Sequence, residues 1–359
     1  MEKRAIITGI GFLNDWAVGK GSFIQFLPGA TPQDTLDKID FDSYIDTSLI
    51  RRADHVSRCA VVAAKLALED AGLSMLPDNN KRVGIVLGTV HGPLHYSLEY
   101  HASLVRGDPK LSSPLFFSDS VPNAAVSHIS TILGIHGYTT TISGYCAVMQ
   151  ALRLGAELIE EGIVDLCLVG GADINHDFLV KAYDACLGNS ALINKSFGGS
   201  GFLVIESLEH VVQRKAKVYA QLEGVSTITA SYAIAKRHNI SPLRELLYRA
   251  GGLRENDCLL KSSYDEKDSL QRENMYLQDF KHPQRIIIDC SKNFGYGFSA
   301  AEAFQLILGI LGVYASEHLS SFATYRDLKK QVERMFVMHT ALAGANACAL
   351  FSRYSTGKD

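Results

Sequence analysis

Cys146 stands at a junction that suits a nucleophile. The β-branched run Thr139-Thr140-Thr141-Ile142 breaks at Ser143-Gly144, and an apolar helical pattern starts with the cysteine and runs to Gly162. A thiol at the start of a helix meets unpaired backbone amides and the positive end of the helix dipole, and both favour the thiolate. The chemistry this arrangement serves is acyl transfer, with the thiolate attacking an activated carbonyl and holding the acyl group as a covalent intermediate. The residues that follow oppose it. Ala147, Val148 and Met149 make the junction apolar and bulky, which raises a thiol pKa.

The elements that would position this cysteine alternate along the chain. Residues 4–12, RAIITGIGF, read as a buried strand. Residues 54–73 carry apolar residues at helical spacing, with Asp54 as cap and Gly72 as stop. Residues 82–92 form a strand ending in a glycine turn, 121–137 a helix ended by Gly137, and 164–173, VDLCLVGGAD, a further strand. Residues 197–229 read as strand, helix and strand, after which the order begins again. Residues 286–312 parallel 139–162, and ACALFSRY (347–354) closes the second half as DLCLVGG closes the first. This predicts an α/β fold made of two similar halves, 1–200 and 201–359. The polar stretch 253–284 is expected to be solvated surface.

The 359 residues are 47% apolar and carry a formal charge of −3 without a long basic block, which excludes a nucleic-acid partner. Seven cysteines are scattered with no C-x-x-C pair, so neither a disulfide framework nor a zinc site is expected, and the compartment is read as reducing and cytoplasmic. The first apolar run is too short for a signal peptide, and none approaches the ~20 residues of a membrane span. No G-x-G-x-x-G opens a helix, and no cofactor or metal is expected; the glycines at 88, 92, 170 and 171 serve turns and close packing.

From RAIITGIGF to NACALFSRY the chain resembles the β-ketoacyl synthases of the thiolase fold, including the ketosynthase-like chain length factors of type II polyketide synthases. RVGIVLGTVHGPL, VDLCLVGGAD and GSGFLVIESLEHVVQRKAKVYAQLEGV are similar to successive family segments, in the family's order. The resemblance implies a thiolase-like αβαβα five-layer duplicated fold, dimerised through a strand corresponding to Tyr138–Ile142. It also implies a trimmed surface loop between Asp173 and Gly199, where the family has a long connection.

Family members condense acyl and malonyl thioesters with a cysteine, two histidines and a lysine. Matched from the strand side, I-S-x-x-C puts Cys146 at the nucleophile; matched backwards from Gly170-Gly171, Tyr145 falls there, and both alignments stand. The first histidine, in A-H-G-T-x-T, has Ser262 as its nearest equivalent. The second, in K-S-x-x-G-H, is replaced by Tyr296, although Lys292 keeps its place. The flexible G-F-G-G gate reads Ala341-Leu342-Ala343-Gly344. His91, His128 and His339 match none of the catalytic positions and read as packed or capped side chains.

Loss of both histidines implies the loss of several kcal/mol of transition-state stabilisation, at ~2.7–4 kcal/mol per oxyanion donor. The resemblance therefore points to a non-catalytic chain length factor that pairs with an active ketosynthase, receives acyl carrier protein and walls the tunnel for the growing chain. The tunnel or interface candidates are then Phe116, Phe117, Ser118, Asp119, Val121, Asn123, Ala124, Tyr138, Ile142 and Tyr145, with Leu342 and Gly344 in a gate-like loop. The competing expectation is a divergent active β-ketoacyl synthase using Cys146 with Ser262 and Tyr296.

Overall fold

The computed structural model describes residues 4–15, 17–21, 36, 39–74, 76, 80–107, 112–187, 197–229, 242–263, 277, 280–290, 297–319, 331–341 and 345–355. The strands of the first half are β1 (Ala5–Asn14), β2 (Val83–Thr89), β3 (Thr139–Ser143), β4 (Leu166–Asp173) and β5 (Gly199–Ser207). Those of the second are β6 (Ala220–Thr229), β7 (Cys258–Ser263), β8 (Ile286–Asp289), β9 (Arg334–Thr340) and β10 (Ala345–Ser352). They join in the order β3-β2-β4-β5-β1-β6-β10-β9-β7-β8. From either edge inward the order is third, second, fourth, fifth, first. The directions repeat too: β3, β2, β4 and β1 run the same way with β5 reversed between β4 and β1, and β8, β7, β9 and β6 run the same way with β10 reversed between β9 and β6. The halves meet where Ile6 and Ile7 of β1 pair with Gln221 and Ala220 of β6.

Strand side chains alternate between two faces, and the apolar contacts sort accordingly into three clusters. On β4, Leu166 and Leu168 pack outward against α1 (His55–Asp70) and α4 (Ala124–Leu133), while Cys167 and Val169 face inward. On β9, Met335 and Val337 face inward, while Phe336 and Met338 pack outward on α8 (Pro242–Ala250). Between the two sheet halves lie α5 (Ala147–Glu160) and α9 (Phe298–Tyr314). The result is helix, sheet, helix, sheet, helix, the five-layer duplicated fold expected. Every residue of α9 from Phe298 to Val313 is buried, as a helix apolar on all sides requires.

The remaining helices are α2 (Leu94–Arg106), α3 (Pro114–Asp119), α6 (Asp177–Leu187) and α7 (Leu208–Arg214). The Asp54 side chain accepts from Val56 N and caps α1 as predicted, and Gly72 follows that helix with φ +74°. α4 ends earlier than its sequence pattern indicates. Gly134 adopts φ 63° and stops it after Leu133. Gly137 instead lets the chain pass β2, since a Cβ there would lie 2.1 Å from Val83 O. The stretch between Asp173 and Gly199, expected to be a trimmed loop, carries α6. Among the described residues no helix is long and apolar enough to cross a membrane.

Two glycines bring the central helices down onto the strands that position them. A Cβ on Gly88 of β2 would lie 2.5 Å from Val148 N and 2.5 Å from Ala147 C at the start of α5. A Cβ on Gly171 of β4 would lie 2.8 Å from Ser299 O at the start of α9. Because the obstruction at Gly88 is backbone, Gly88→Ala should displace the start of α5 and cost about 3 kcal/mol or more, at the upper end of overpacking effects. Urea denaturation of the variant checks this; a loss under about 1 kcal/mol would mean that α5 can shift freely.

Candidate functional site

The two central helices begin side by side, each at a strained residue. Cys146 is the N-cap of α5 in left-handed conformation, φ 56° and ψ 31°, and is 3% exposed. Phe298, the first residue of α9, has φ 46°. Left-handed backbone costs a non-glycine residue ~1–3 kcal/mol and persists only where the surroundings enforce it. The sharp turn puts Cys146 at the start of the helix, with Tyr145 one residue before it.

A carboxylate from α9 closes the start of α5. Glu302 Oε2 accepts from Val148 N at 3.1 Å and Oε1 from Met149 N at 2.9 Å. Burial pushes Glu302 up to about 7 against the two amides that stabilise its charge, and nearby Asp173 raises it further. The same surroundings act on the thiol. Burial raises Cys146 well above the ordinary cysteine value, the Glu302 charge adds to this, and the backbone amide of Ala341 opposes it. The feature that first marked Cys146 as a nucleophile, its place at a helix start, is thus offset by its neighbours.

Asp173, at the end of β4, organises the rest. Its Oδ1 accepts from Thr89 Oγ1 at 2.9 Å, His91 N at 2.9 Å and Gly92 N at 3.2 Å. Its Oδ2 accepts from Val90 N at 2.9 Å and Ser299 N at 3.0 Å. One buried carboxylate thus fixes the turn after β2 and the start of α9. The turn places His91 edge-on to Phe298, ring centroids 4.5 Å apart, and His91 Nε2 lies 3.2 Å from Tyr183 Oη of α6. Tyr183 Oη lies in turn 3.2 Å from Tyr145 Oη. Burial lowers the His91 pKa although Asp173 counters it, so its imidazole is neutral near pH 7.

Ser262, on β7, pairs in register with His339 of β9, two residues before Ala341. The Ser262 hydroxyl is buried and has no hydrogen-bond partner among the described residues. His339 Nδ1 lies 3.1 Å from Gln305 Oε1 of α9, and burial lowers its pKa to about 3; it is a neutral, packed side chain. His128 Nε2 lies 2.7 Å from Asp119 Oδ1, away from Cys146 in a pair between α4 and α3. Lys292, Tyr296, Leu342 and Gly344 lie outside the described residues. No cluster of three side chains suited to a metal occurs among the described residues.

The tunnel or interface candidates gather on α3, the turn after it and β3. Phe116 is half-buried with its ring 5.1 Å from Tyr96, whereas Phe117 is 57% exposed beside Tyr100. Ser118 and Asn123 are exposed, Val121 is half-buried, and Asp119 and Ala124 are buried. Tyr138 is exposed, and Ile142 is half-buried against the central core. Sequence reasoning passed over Glu302, Asp173 and Tyr183. The signal for Glu302 was present, since a lone carboxylate in the apolar run FSAAEAFQLILGILG must find donors or stay neutral.

Removing the Asp173 charge should be costly. In Asp173→Asn an amide NH2 would face N–H donors, and with charge-assisted hydrogen bonds at ~1.5–3 kcal/mol each the loss should exceed about 3 kcal/mol. Thermal unfolding reads this, and a near-neutral variant would show that the turn holds without the charge. Glu302 gives a pH dependence. Its folded value of about 7 exceeds the ordinary 4.5, so the folded state keeps a proton that the unfolded state releases. Its contribution is fully present below 4.5 and is lost as pH rises to about 7, by about 3 kcal/mol at ~1.36 kcal/mol per unit. Urea midpoints should therefore fall between pH 5 and pH 8 more steeply in the wild type than in Glu302→Gln, and equal slopes would contradict it.

Residues 28–190 match the family model described as the N-terminal domain of beta-ketoacyl synthase. The chain is 25% identical to 3-oxoacyl-[acyl-carrier-protein] synthase 1 of Buchnera aphidicola, the match covering 86% of each chain. It is 26% identical to 3-oxoacyl-[acyl-carrier-protein] synthase 2 of Staphylococcus aureus, over 65% of this chain and 64% of that protein. It is 29% identical to a putative polyketide beta-ketoacyl synthase 1 of Streptomyces halstedii, over 63% of this chain and 64% of that protein. Among solved structures, the ishigamide ketosynthase/chain length factor superposes with a TM-score of 0.81 at 19% identity, covering 99% of this chain and all of that one (100%). A beta-ketoacyl synthase from Burkholderia phymatum superposes with a TM-score of 0.79 at 18% identity, covering 98% and 100%. The partial match to the family model and the shared fold make the chain similar to β-ketoacyl synthases, and its fold is that of the ishigamide ketosynthase/chain length factor.

Proposed function

We propose that the chain is the non-condensing member of a ketosynthase heterodimer, a chain length factor that shapes the tunnel in which a partner ketosynthase extends a poly-β-ketoacyl chain on acyl carrier protein. The observation that carries this reading is the state of Cys146, which keeps the junction geometry of a nucleophile yet is buried, apolar in its surroundings and beside a carboxylate. A condensing cysteine needs the opposite on each count. Neither family histidine has a histidine at its equivalent in the sequence, and Ser262 offers a hydroxyl without imidazole's basicity.

The outer surface near β3 supports a partner. β3 is the edge of the sheet, pairs with β2 alone among the described strands and is half-exposed, unlike the fully buried β2, β4 and β5. An uncovered edge strand is a template for pairing with another chain. α2 buries none of its residues although it carries Leu94, Tyr96, Leu98, Leu104 and Val105, and Val105, Phe117 and Tyr138 are exposed. On this reading Phe117 and Tyr138 meet the ketosynthase, Phe116 lies behind them toward the tunnel, and Ser118, Asp119, Val121, Asn123 and Ala124 shape the wall. The likeness in fold to the ishigamide ketosynthase/chain length factor agrees with such a pairing.

The second reading, an active synthase using Cys146, draws on the left-handed cysteine and on relatives named as 3-oxoacyl synthases. Co-expression with a ketosynthase and acyl carrier protein separates the two. The pair should co-elute, and after incubation with an acyl thioester the acyl group should be found on the partner's cysteine, with Cys146 unmodified by peptide mass spectrometry. A homodimer that condenses malonyl and acyl thioesters unaided, with Cys146 acylated, would overturn the proposal.

A further inference from the structure

We infer that Glu302 silences Cys146 by taking the anion-binding start of α5 for itself, so that the thiol is held off by a built-in competitor as well as by the missing histidines. The inference rests on the reading of Cys146 as non-condensing and names the residue responsible.

A helix start offers a fixed set of unpaired N–H groups and a partial positive charge, enough to favour one anion. In an enzyme that uses a thiol at this position, the anion is the thiolate or the oxyanion formed on its substrate. Here Glu302 reaches across from α9 and accepts both the Val148 and the Met149 amides, the first-turn donors next to Cys146. It does so from a wholly buried position, 1% exposed, where water cannot screen its charge from the thiol. A thiolate at Cys146 would thus meet a negative neighbour where it would otherwise meet donors. No other charged side chain acts on the thiol with comparable strength among the described residues. Among the described residues the other titratable groups at this end are Asp173 on β4, His91 after β2, Tyr183 of α6 with Tyr145 hydrogen-bonded to it, and His339 on β9. Asp173 is committed to its five donors, and His91 and His339 are neutral near pH 7.

Iodoacetamide labelling of the full-length chain, with its partner if one co-purifies, tests the assignment. Peptide mass spectrometry gives the rate at Cys146 relative to exposed Cys186, which serves as internal reference. Glu302→Gln keeps one capping oxygen and removes the charge, and it should raise the Cys146 to Cys186 ratio at pH 8 by about tenfold or more, one pKa unit of relief. Glu302→Asp retains the charge and should leave the ratio near the wild-type value. The wild type supplies a reading that needs no variant to fold. As Glu302 ionises between pH 6 and 8, the ratio should fall about tenfold. Access is controlled by the 240 nm thiolate absorbance, taken as the difference between each protein and its Cys146→Ser counterpart, whose midpoint should drop by at least about one unit in Glu302→Gln. An unchanged ratio together with an unchanged midpoint would overturn the inference. Acylation of wild-type Cys146 by an acyl thioester would instead overturn the non-condensing reading, so the two failures are distinguishable.

Discussion

The arrangement of this end of the molecule depends on a single buried carboxylate. Asp173 closes β4 and receives four backbone amides and one hydroxyl, three of the amides from the turn after β2 and one from the start of α9. A carboxylate has about four lone-pair sites, so this set leaves little of its acceptor capacity unused. Charge-assisted bonds of this kind make a buried ion tolerable only as a complete set. The turn, the strand and the helix are therefore held together or not at all, and the glycines at 88 and 171 allow the central helices near enough for the bonds to form.

That closeness creates a conflict which the sequence resolves against the thiol. The starts of α5 and α9 each offer amides, and two carboxylates, Asp173 for α9 and Glu302 for α5, accept them. Burial first, and the nearby Asp173 charge after it, push Glu302 up to about 7, out of the usual carboxylate range. A third anion at Cys146 would compound the repulsion. The site stays ordered by satisfying its donors with fixed side chains, whereas a condensing enzyme leaves some of them free for a developing oxyanion.

Much of the fold could be read from the chain because its signals are local. β-Branched runs interrupted by glycine gave the strands, and the Asp54 cap and apolar spacing gave α1. The recurrence of that order predicted the duplication, which the mirrored strand order displays. Features that depend on distant partners were less legible. Gly137 looked like a helix stop, yet its smallness is spent against Val83, and Gly134 ends α4. The residue that starts the helix turned on backbone conformation: φ 56° belongs to Cys146, with Tyr145 one residue before it. Glu302 was visible as a charge in an apolar helix, but its role needed the first turn of α5, whose Met149 lies 153 residues earlier in sequence.

The junction and the exposed edge are mechanically one unit. Gly144 N donates to Thr89 O at 2.9 Å, and the Thr89 hydroxyl donates to Asp173, so the last residues of β3 hang from the same carboxylate that orders the site. β3 runs parallel to β2 from Thr139 to Ser143, and Ile142 packs into the central core while Thr139 and Ser143 stay exposed. The left-handed turn at Cys146 then sends the chain from this edge into α5. A chain in which that turn relaxed would lose the alignment of β3 and with it the pairing edge, whatever the thiol does. The strained geometry therefore has a structural reason to persist whatever the chemistry of the cysteine: the conformation that suits a nucleophile also sets the course of the exposed edge strand.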